Sequence, residues 1–373
     1  NYTTLYHLIF VVKIKNNMKV CIIGSGLSSL TLAKVLVNQK IFVELVSIKK
    51  RSQTNRNRTL GISEDNIEFV NNNIINLDKE IWKIKKIEIF SDNLKKEKII
   101  NFENKKKYLF SIIKNYNIYD LLSKSLSKNK YFKKISKGNI LNLTKNYDLI
   151  IITDFNNSIS KKYFSKKIIK NYNNLAYSTV IEHDKINNDV ATQIFTKNGP
   201  LAFLPISNSE TSIVYSINQS EKIYSLNVEK LIHQYNFKYK INKIRKTETF
   251  KLESLILRSY FHEKFLAFGD LLHKIHPLAG QGFNMTLRDI RVFSEIVKSK
   301  TNLGLPLDSS INYEFEKKMK HKNFIFSNGI DFIYEFFNFE RKTKNTLLSK
   351  TIQSVGEFKT INKFITKIAN KGI

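Results

Sequence analysis

The chain has 373 residues, enough for one large or two ordinary domains with a real core, and its hydrophobic fraction of 42% suits a folded protein. Lys and Arg total 62 against 32 Asp and Glu, a formal net charge of +30; the excess runs along the whole sequence as a Lys, Asn and Ile bias, with attraction to an anionic membrane surface as the sharper reading. No zinc-finger or RNA-recognition signature accompanies it, so nucleic acid is not expected as a partner, and the single cysteine, Cys21, excludes an internal disulfide and a multi-cysteine metal site.

Residues 1–17 carry the apolar run Leu8-Ile9-Phe10-Val11-Val12, shorter than the ~18 residues of a membrane span. They read as a disordered extension ahead of a start at Met18. A signal-like segment is the alternative, although the basic start and small-residue cleavage site are missing. Lys19 to Ile23 is a buried-strand pattern, and Cys21 within it reads as a small buried hydrophobe. Gly24-Ser25-Gly26-Leu27-Ser28-Ser29 follows, then Leu30, Leu32, Ala33, Leu36 and Val37 at helical spacing, then a second strand over 41–48. This is a β-α-β unit opening a Rossmann-like sheet. The glycines at 24 and 26 allow a tight turn and close approach of a pyrophosphate to the helix start. Ser29 stands at the third position of the fingerprint, where smallness serves helix–strand packing. An acid that could hold a ribose is expected ~20 residues on; Ser47 falls there, while Glu44 lies inside the strand and points elsewhere.

Residues 51–58 form a polar loop whose Arg56 and Arg58 read as surface charge on composition alone. Trp82 and the strand Ile87-Glu88-Ile89-Phe90 follow. Residues 109–127 read as one helix with Leu121, Leu122 and Leu126 inward, and 147–153 as a buried parallel strand ending at Asp154, where ligands of such sheets bind. From Leu175 to Tyr260 the pattern changes. Segments 176–181, 192–196, 201–204 and 212–217 read as antiparallel strands that wall a substrate pocket. Phe265 to Phe268 returns to a buried strand.

The stretch from Gly269 to Asp289 is the most informative. It places glycines at 269, 280 and 282 and a proline at 277 ahead of a helical pattern over 284–297. Such a helix start offers unpaired N–H groups to an anionic or electron-rich ligand. His273 and His276 share a helical spacing but lack further ligands, so no metal is expected. In the tail, Ile361, Phe364, Ile365 and Ile368 share one helical face and Lys363, Lys367 and Lys371 another, a basic amphipathic helix that would pack on the protein or lie on a membrane interface.

Four segments resemble the flavin-dependent aromatic hydroxylases of ubiquinone biosynthesis, within the class A flavoprotein monooxygenases of para-hydroxybenzoate-hydroxylase-like fold. Gly24-Ser25-Gly26 is similar to their FAD fingerprint, and Arg58-Thr59-Leu60-Gly61-Ile62-Ser63 to their Arg-x-x-Ala-Ile/Leu-Ser segment. Residues 148–158 resemble their second flavin motif, and 269–289 their Gly-Asp…His-Pro-x-Ala-Gly-Gln-Gly block; 199–205 resembles a stretch typical of the ubiquinone branch. The likeness runs from about Lys19 to Gly372. Ser29, Ser47, Phe155, Leu271-Leu272 and Thr286 depart from the pattern.

The resemblance implies an α/β fold: a Rossmann-like FAD-binding domain, an inserted, mainly antiparallel substrate domain, and C-terminal helices. The expected division is 18–70 with 100–170 and 260–300 for FAD, 71–99 with 171–259 for substrate, and 301–373 as the helical region. It implies FAD, NADPH or NADH as reductant, and O2 as co-substrate. The implied reaction is hydroxylation of a phenolic, prenylated quinone precursor through a flavin C4a-hydroperoxide. FAD would meet Gly24, Gly26, Ser29, Ser47, Arg58, Asn115, Asp154, Gly269, Asp270, Gly280, Gly282 and Asn284. Pro277, Gly280, Gln281 and Gly282 would run beside the flavin ring, with main-chain N–H groups stabilising negative charge on it. A cytoplasmic location, peripheral inner-membrane contact and association with other ubiquinone-biosynthesis proteins are implied with it. A related flavoprotein acting on another aromatic substrate, and a non-catalytic flavin-binding subunit, share these motifs.

Overall fold

The computed structural model describes residues 18–47, 57–92, 98–103, 108–135, 147–155, 157–218, 227–276 and 281–343. Residues 1–17, Arg56, Pro277, Gly280 and the tail pattern at 361–371 lie outside them.

The elements in chain order are β1 (Lys19–Ile23), α1 (Leu27–Asn38), β2 (Phe42–Val46), β3 (Thr59–Ser63), α2 (Glu64–Asn73), β4 (Ile81–Ile84), β5 (Lys86–Ser91), β6 (Lys98–Glu103), β7 (Phe110–Lys114), α3 (Asn115–Ser127), β8 (Phe132–Ile135), β9 (Leu149–Ile152) and α4 (Ser158–Tyr163). They continue with β10 (Lys167–His183), β11 (Val190–Thr196), β12 (Gly199–Pro205), β13 (Glu210–Asn218), α5 (Val228–Tyr235), β14 (Ile241–Ile244), β15 (Glu248–Leu257), β16 (Phe261–His262), β17 (Phe265–Ala267), β18 (His273–Lys274), α6 (Gln281–Asn302) and α7 (Ser309–Thr343).

The first sheet has the order β16-β17-β9-β1-β2-β8. All its pairings are parallel except β16 with β17. Its central strands are apolar on both faces because both faces are covered: Val20 to Ile23 and Leu149 to Ile152 are all at most 1% exposed. α1 is buried around most of its circumference, and its Gln39 cap reaches the Ser294 carbonyl of α6. Where the sheet meets α6 and α7, Phe268 stacks on Phe315 and Phe293 meets both edge-on. Cys21 is buried here as expected, and that burial, followed by the nearby Glu44 carboxylate, pushes its thiol up to about 12. Glu44 does point away from the strand ends, toward the Tyr147 hydroxyl.

The second sheet, β18-β15-β10-β13-β12-β11-β5-β6 with β14 beside β10, is antiparallel except for the β5–β11 pairing. It confirms the strand pattern expected between Leu175 and Tyr260. β10 is longer than expected because its polar N-terminal half also pairs with β15.

Between the two lies a small sheet, β3-β7-β4, that the sequence reading missed. The expected helix over 109–127 is in fact a strand followed by a helix. Ser111, Ile112 and Ile113 are at most 1% exposed and pair with β3 on one side and β4 on the other. Pairing on both edges overrides a helical spacing that β-branched residues support poorly. α3 therefore starts at Asn115, with Lys114 as its N-cap. Among the described residues, no helix is long and apolar enough to cross a membrane.

Candidate flavin site

Register in the parallel sheet fixes where the motifs end up. Ile23 pairs with Val46 on one side and Ile152 on the other, and Ile152 also pairs with Ala267. The residues that follow each strand, namely Gly24, Ser47, Thr153-Asp154 and Phe268-Gly269, therefore line one carboxyl edge. Backbone bonds lock that edge: Gly24 N to Val46 O, Thr153 N to Ile23 O and Phe268 N to Ile152 O, all 2.8 to 3.0 Å.

Gly24 is a packing residue. Its φ is +145°, and a Cβ there would stand 2.1 Å from Thr153 Oγ1. The Ser29 hydroxyl, 2.6 Å from Thr153 Oγ1, stitches α1 to β9. The Ser29 side chain is fully buried in that contact, the helix–strand packing expected of the third fingerprint position.

Gly26 is different. It caps α1 with no side-chain hydrogen bond, and the first turn holds no acid to neutralise its N–H groups. A Cβ on Gly26 would meet nothing within 4 Å. Across this opening lies Gly269, whose φ of +60° and 2.8 Å approach to Ser28 Cβ admit no side chain. It holds Asp270 on a short 3-10 turn at the same edge, exposed, with no hydrogen bond to another described residue. An open, positively polarised helix start with a carboxylate opposite fits a pyrophosphate joined to a polyol chain.

The start of α6 is held by Asn284. Its Oδ1 accepts from Ser63 N at 3.0 Å and Asn66 Nδ2 at 2.9 Å, and its Nδ2 donates to Gly61 O at 2.8 Å. The Asn284 amide thus pins α6 to β3 and α2. Gln281 and Gly282 are the first residues of α6, so the expected bend at 280–282 is a helix start from Gln281 onward, three residues earlier than the pattern indicated. Gly282 leaves room, its added Cβ finding only Ile275 at 4.0 Å.

Arg58 and Asn115 come together at the end of the small sheet, where Asn115 N donates to Arg58 O at 2.9 Å. Arg58 is exposed, with its guanidinium 6.0 Å from the Phe250 ring centre. Asn115 Oδ1 is a buried acceptor without a partner among the described residues. Asp154 sits at the sheet edge as expected, with its carbonyl bonded by Asn157 Nδ2.

The two histidines of the block diverge. His273 Nε2 is bonded to Asp289 Oδ2, whose other oxygen accepts from Asn323 Nδ2 at 2.9 Å. This buried chain ties β18, α6 and α7 together. His276 is 1% exposed, stacked on Tyr334 and edge-on to Tyr172, and neither ring nitrogen has a partner among the described residues. Burial pushes it down to about 3, so the ring is neutral. Both histidines were visible in the sequence, but nothing in their spacing showed which one is paired.

No family model matches the chain. It is 23% identical to the mitochondrial ubiquinone biosynthesis monooxygenase COQ6 of Drosophila melanogaster over 80% of this chain and 78% of that protein. It is 27% identical to the 3-demethoxyubiquinol 3-hydroxylase of Escherichia coli and 25% identical to the ubiquinone hydroxylase UbiL of Rhodospirillum rubrum, over 40% and 41% of those proteins and 40% and 45% of this chain. Among solved structures, p-nitrophenol 4-monooxygenase of Pseudomonas putida superposes with a TM-score of 0.72 at 10% identity, over 95% of this chain and 99% of that one. HpxO of Klebsiella pneumoniae, solved with FAD and uric acid, also reaches 0.72 at 10% identity, over 96% of this chain and 98% of that one. The resemblance read from the motifs is therefore borne out in sequence relatives and in fold.

Proposed function

We propose that this chain, a relative of the ubiquinone-biosynthesis hydroxylases with the fold of FAD-dependent monooxygenases, binds FAD and hydroxylates the aromatic ring of a phenolic, polyprenylated quinone precursor. The observation that carries the reading is the single edge on which Gly26, Asp270, Ser47 and Asp154 meet. Two features of the chain fit the group: a glycine-lined opening at the start of α1, and a buried, unpartnered Asn115 acceptor.

FAD would lie with its pyrophosphate on the amides after Gly26, its adenosine ribose toward the Ser47 hydroxyl and its ribityl chain toward Asp270. Gly24 and Gly269 serve by letting strands and α1 close up beneath it. The amides of Gln281 and Gly282, together with 277–280, would face the ring, with Arg58, Asn115 and Asp154 around it. Bound FAD supplies storage of the electrons from NADH or NADPH and the activation of O2. The protein binds, orients and excludes water. Helix-start amides at α6 favour negative charge developing beside them. Asn115 Oδ1 would accept a hydrogen bond from the bound group, and the neutral His276 adds no positive charge there. The antiparallel sheet would wall the substrate. Contact with the inner membrane, where a polyprenylated precursor resides, and with other proteins of the route belongs to the same reading.

Purified, FAD-loaded chain given NADH or NADPH, O2 and a prenylated phenol should release a product heavier by one oxygen, detected by mass spectrometry. Flavin that is bound and reduced yet leaves the phenol untouched would favour the non-catalytic subunit instead. A host lacking the chain should accumulate an under-hydroxylated prenylphenol.

A further inference from the structure

The large sheet alternates in side-chain size along β12 and β13, and the alternation sorts its two faces. The large residues, Leu201, Phe203, Ile213 and Tyr215, are buried on the outer face with Leu231, Ile232 and Tyr235 of α5. The residues between them face inward, where two covers meet the sheet. At one side Ile84 of β4 and Ile112 of β7 pack on Ala191 and Leu204, and Thr59 of β3 donates to Ser212 Oγ at 2.8 Å. At the other, Ile330 and Tyr334 of α7 pack on Ala176, Phe195, Phe250 and Leu252. Between these covers runs one row of cross-strand partners: Ser178, Val214, Ala202, Gln193 and Ile89.

Val214, Ala202 and Ile89 are apolar and lie within a nine-stranded sheet, yet they stay partly exposed and join no apolar cluster of the described residues. Apolar side chains so placed are ordinarily buried, so the row borders an opening. Four inter-strand steps make it about 19 Å long, far more than an aromatic ring needs. Its ends differ. At the β10 end Ser178 is 2% exposed, and its hydroxyl has no partner among the described residues. Residues 57–59 reach over that end: Asn57 Nδ2 donates to Lys246 O, Thr59 bonds Ser212, and the Arg58 guanidinium lies near the Phe250 ring. Asn115 adjoins them, its N–H donating to Arg58 O. Toward β11 and β5 the row is apolar apart from Gln193, whose amide is turned onto the Leu201 carbonyl at 3.2 Å.

On the reading of the flavin edge given above, we propose that this row is the track of the substrate's substituent. The phenolic ring stands at the Ser178 and Asn115 end, and a linear, uncharged hydrocarbon chain runs across Val214 and Ala202 toward Ile89. A few polar groups at one end of an apolar lining fix which end of such a ligand goes where. The small inward side chains keep the track open; a residue of the size found at the alternate positions, Leu201, Phe203 or Tyr215, would fill it. Val214 and Ala202 thereby decide which ring substituents are accepted, while Ser178 acts on the ring itself through its hydroxyl.

Equilibrium dialysis of the full chain, with and without FAD, against tritiated 2-methylphenol and tritiated 2-farnesylphenol tests it. The two probes share the ring and differ in the substituent. The parent should bind 2-farnesylphenol on the order of a hundredfold more tightly. Val214→Phe and Ala202→Phe should each weaken 2-farnesylphenol by about tenfold or more and leave 2-methylphenol unchanged. Val214→Ser, which adds no volume, should weaken 2-farnesylphenol roughly threefold, and it decides the matter where thermal melts show a phenylalanine variant to be unfolded. Ser178→Ala should weaken both probes alike. The proposal is overturned if the parent binds the two probes equally, or if the Val214 and Ala202 variants spare 2-farnesylphenol. It is equally overturned if those variants weaken both probes by the same factor, which would put the ring there, or if Ser178→Ala spares 2-methylphenol. A chain that takes up no FAD, yet prefers 2-farnesylphenol and loses that preference in Val214→Phe, would sink the hydroxylase reading and leave the track in place.

Discussion

The starts of α1 and α6 both follow a glycine-rich segment, yet they are held in different ways. At α1 the anchoring is main chain and hydroxyl: Gly24 closes on Thr153, and Ser29 bonds the same hydroxyl. That leaves Gly26 facing empty space with no side-chain cap. At α6 the anchoring is one side chain, Asn284, which joins the helix to Gly61, Ser63 and Asn66. Within a binding motif, then, neighbouring positions divide into those that build the opening and those that border it. A substitution should reveal which kind it strikes by whether stability or ligand affinity moves.

The largest effect is expected at Gly24. Alanine there places a Cβ 2.1 Å from Thr153 Oγ1 at a positive φ, and should cost about 3 kcal/mol or more in urea unfolding. A fully stable Gly24→Ala variant would show that the strand edge is looser than described. Asn284→Ala comes next. It strands the Ser63 N–H, the Gly61 carbonyl and the Asn66 amide, at about 2–3 kcal/mol, with flavin affinity of the folded protein little changed. Lost affinity at unchanged stability would make Asn284 a ligand contact and not a structural pin.

His276 sharpens the contrast through pH. Its folded value of about 3 lies below the ordinary 6.5 of the unfolded chain. Between those values the unfolded state binds one more proton, so the contribution to stability is full above pH 6.5 and is lost as pH falls toward 3. The slope is about 1.4 kcal/mol per pH unit. In urea titrations, His276→Phe should remove that one-proton slope below pH 6.5, while His273→Phe, which empties the contact with Asp289, should lower stability at neutral pH as well. An unaltered acid limb in His276→Phe would mean that the ring gains a proton partner on folding.

Much of this was legible in advance. The β-α-β opening, the return strand at Phe265 and the antiparallel middle all follow from apolar runs and turn residues, which report local burial. The strand at 110–114 did not, because Ser111, Ile112 and Ile113 owe their conformation to β3 and β4, distant in sequence. The same limit applied within the site. A motif points to Ser29 and Asn284, but their side-chain contacts are made across 124 and 218–223 residues of sequence. The unpaired His276 beside the paired His273 likewise depends on where Asp289 and the two tyrosines fall.

The most direct measurement is an equilibrium titration of the flavin-free chain with FAD, followed by flavin fluorescence, beside Gly26→Val. The valine side chain enters empty space, so the apoprotein should unfold within about 0.5 kcal/mol of the parent. FAD affinity should fall tenfold or more, about 1.4 kcal/mol. A Gly26→Val protein that takes up FAD as tightly as the parent would contradict the placement of the pyrophosphate at the start of α1, and the flavin site with it.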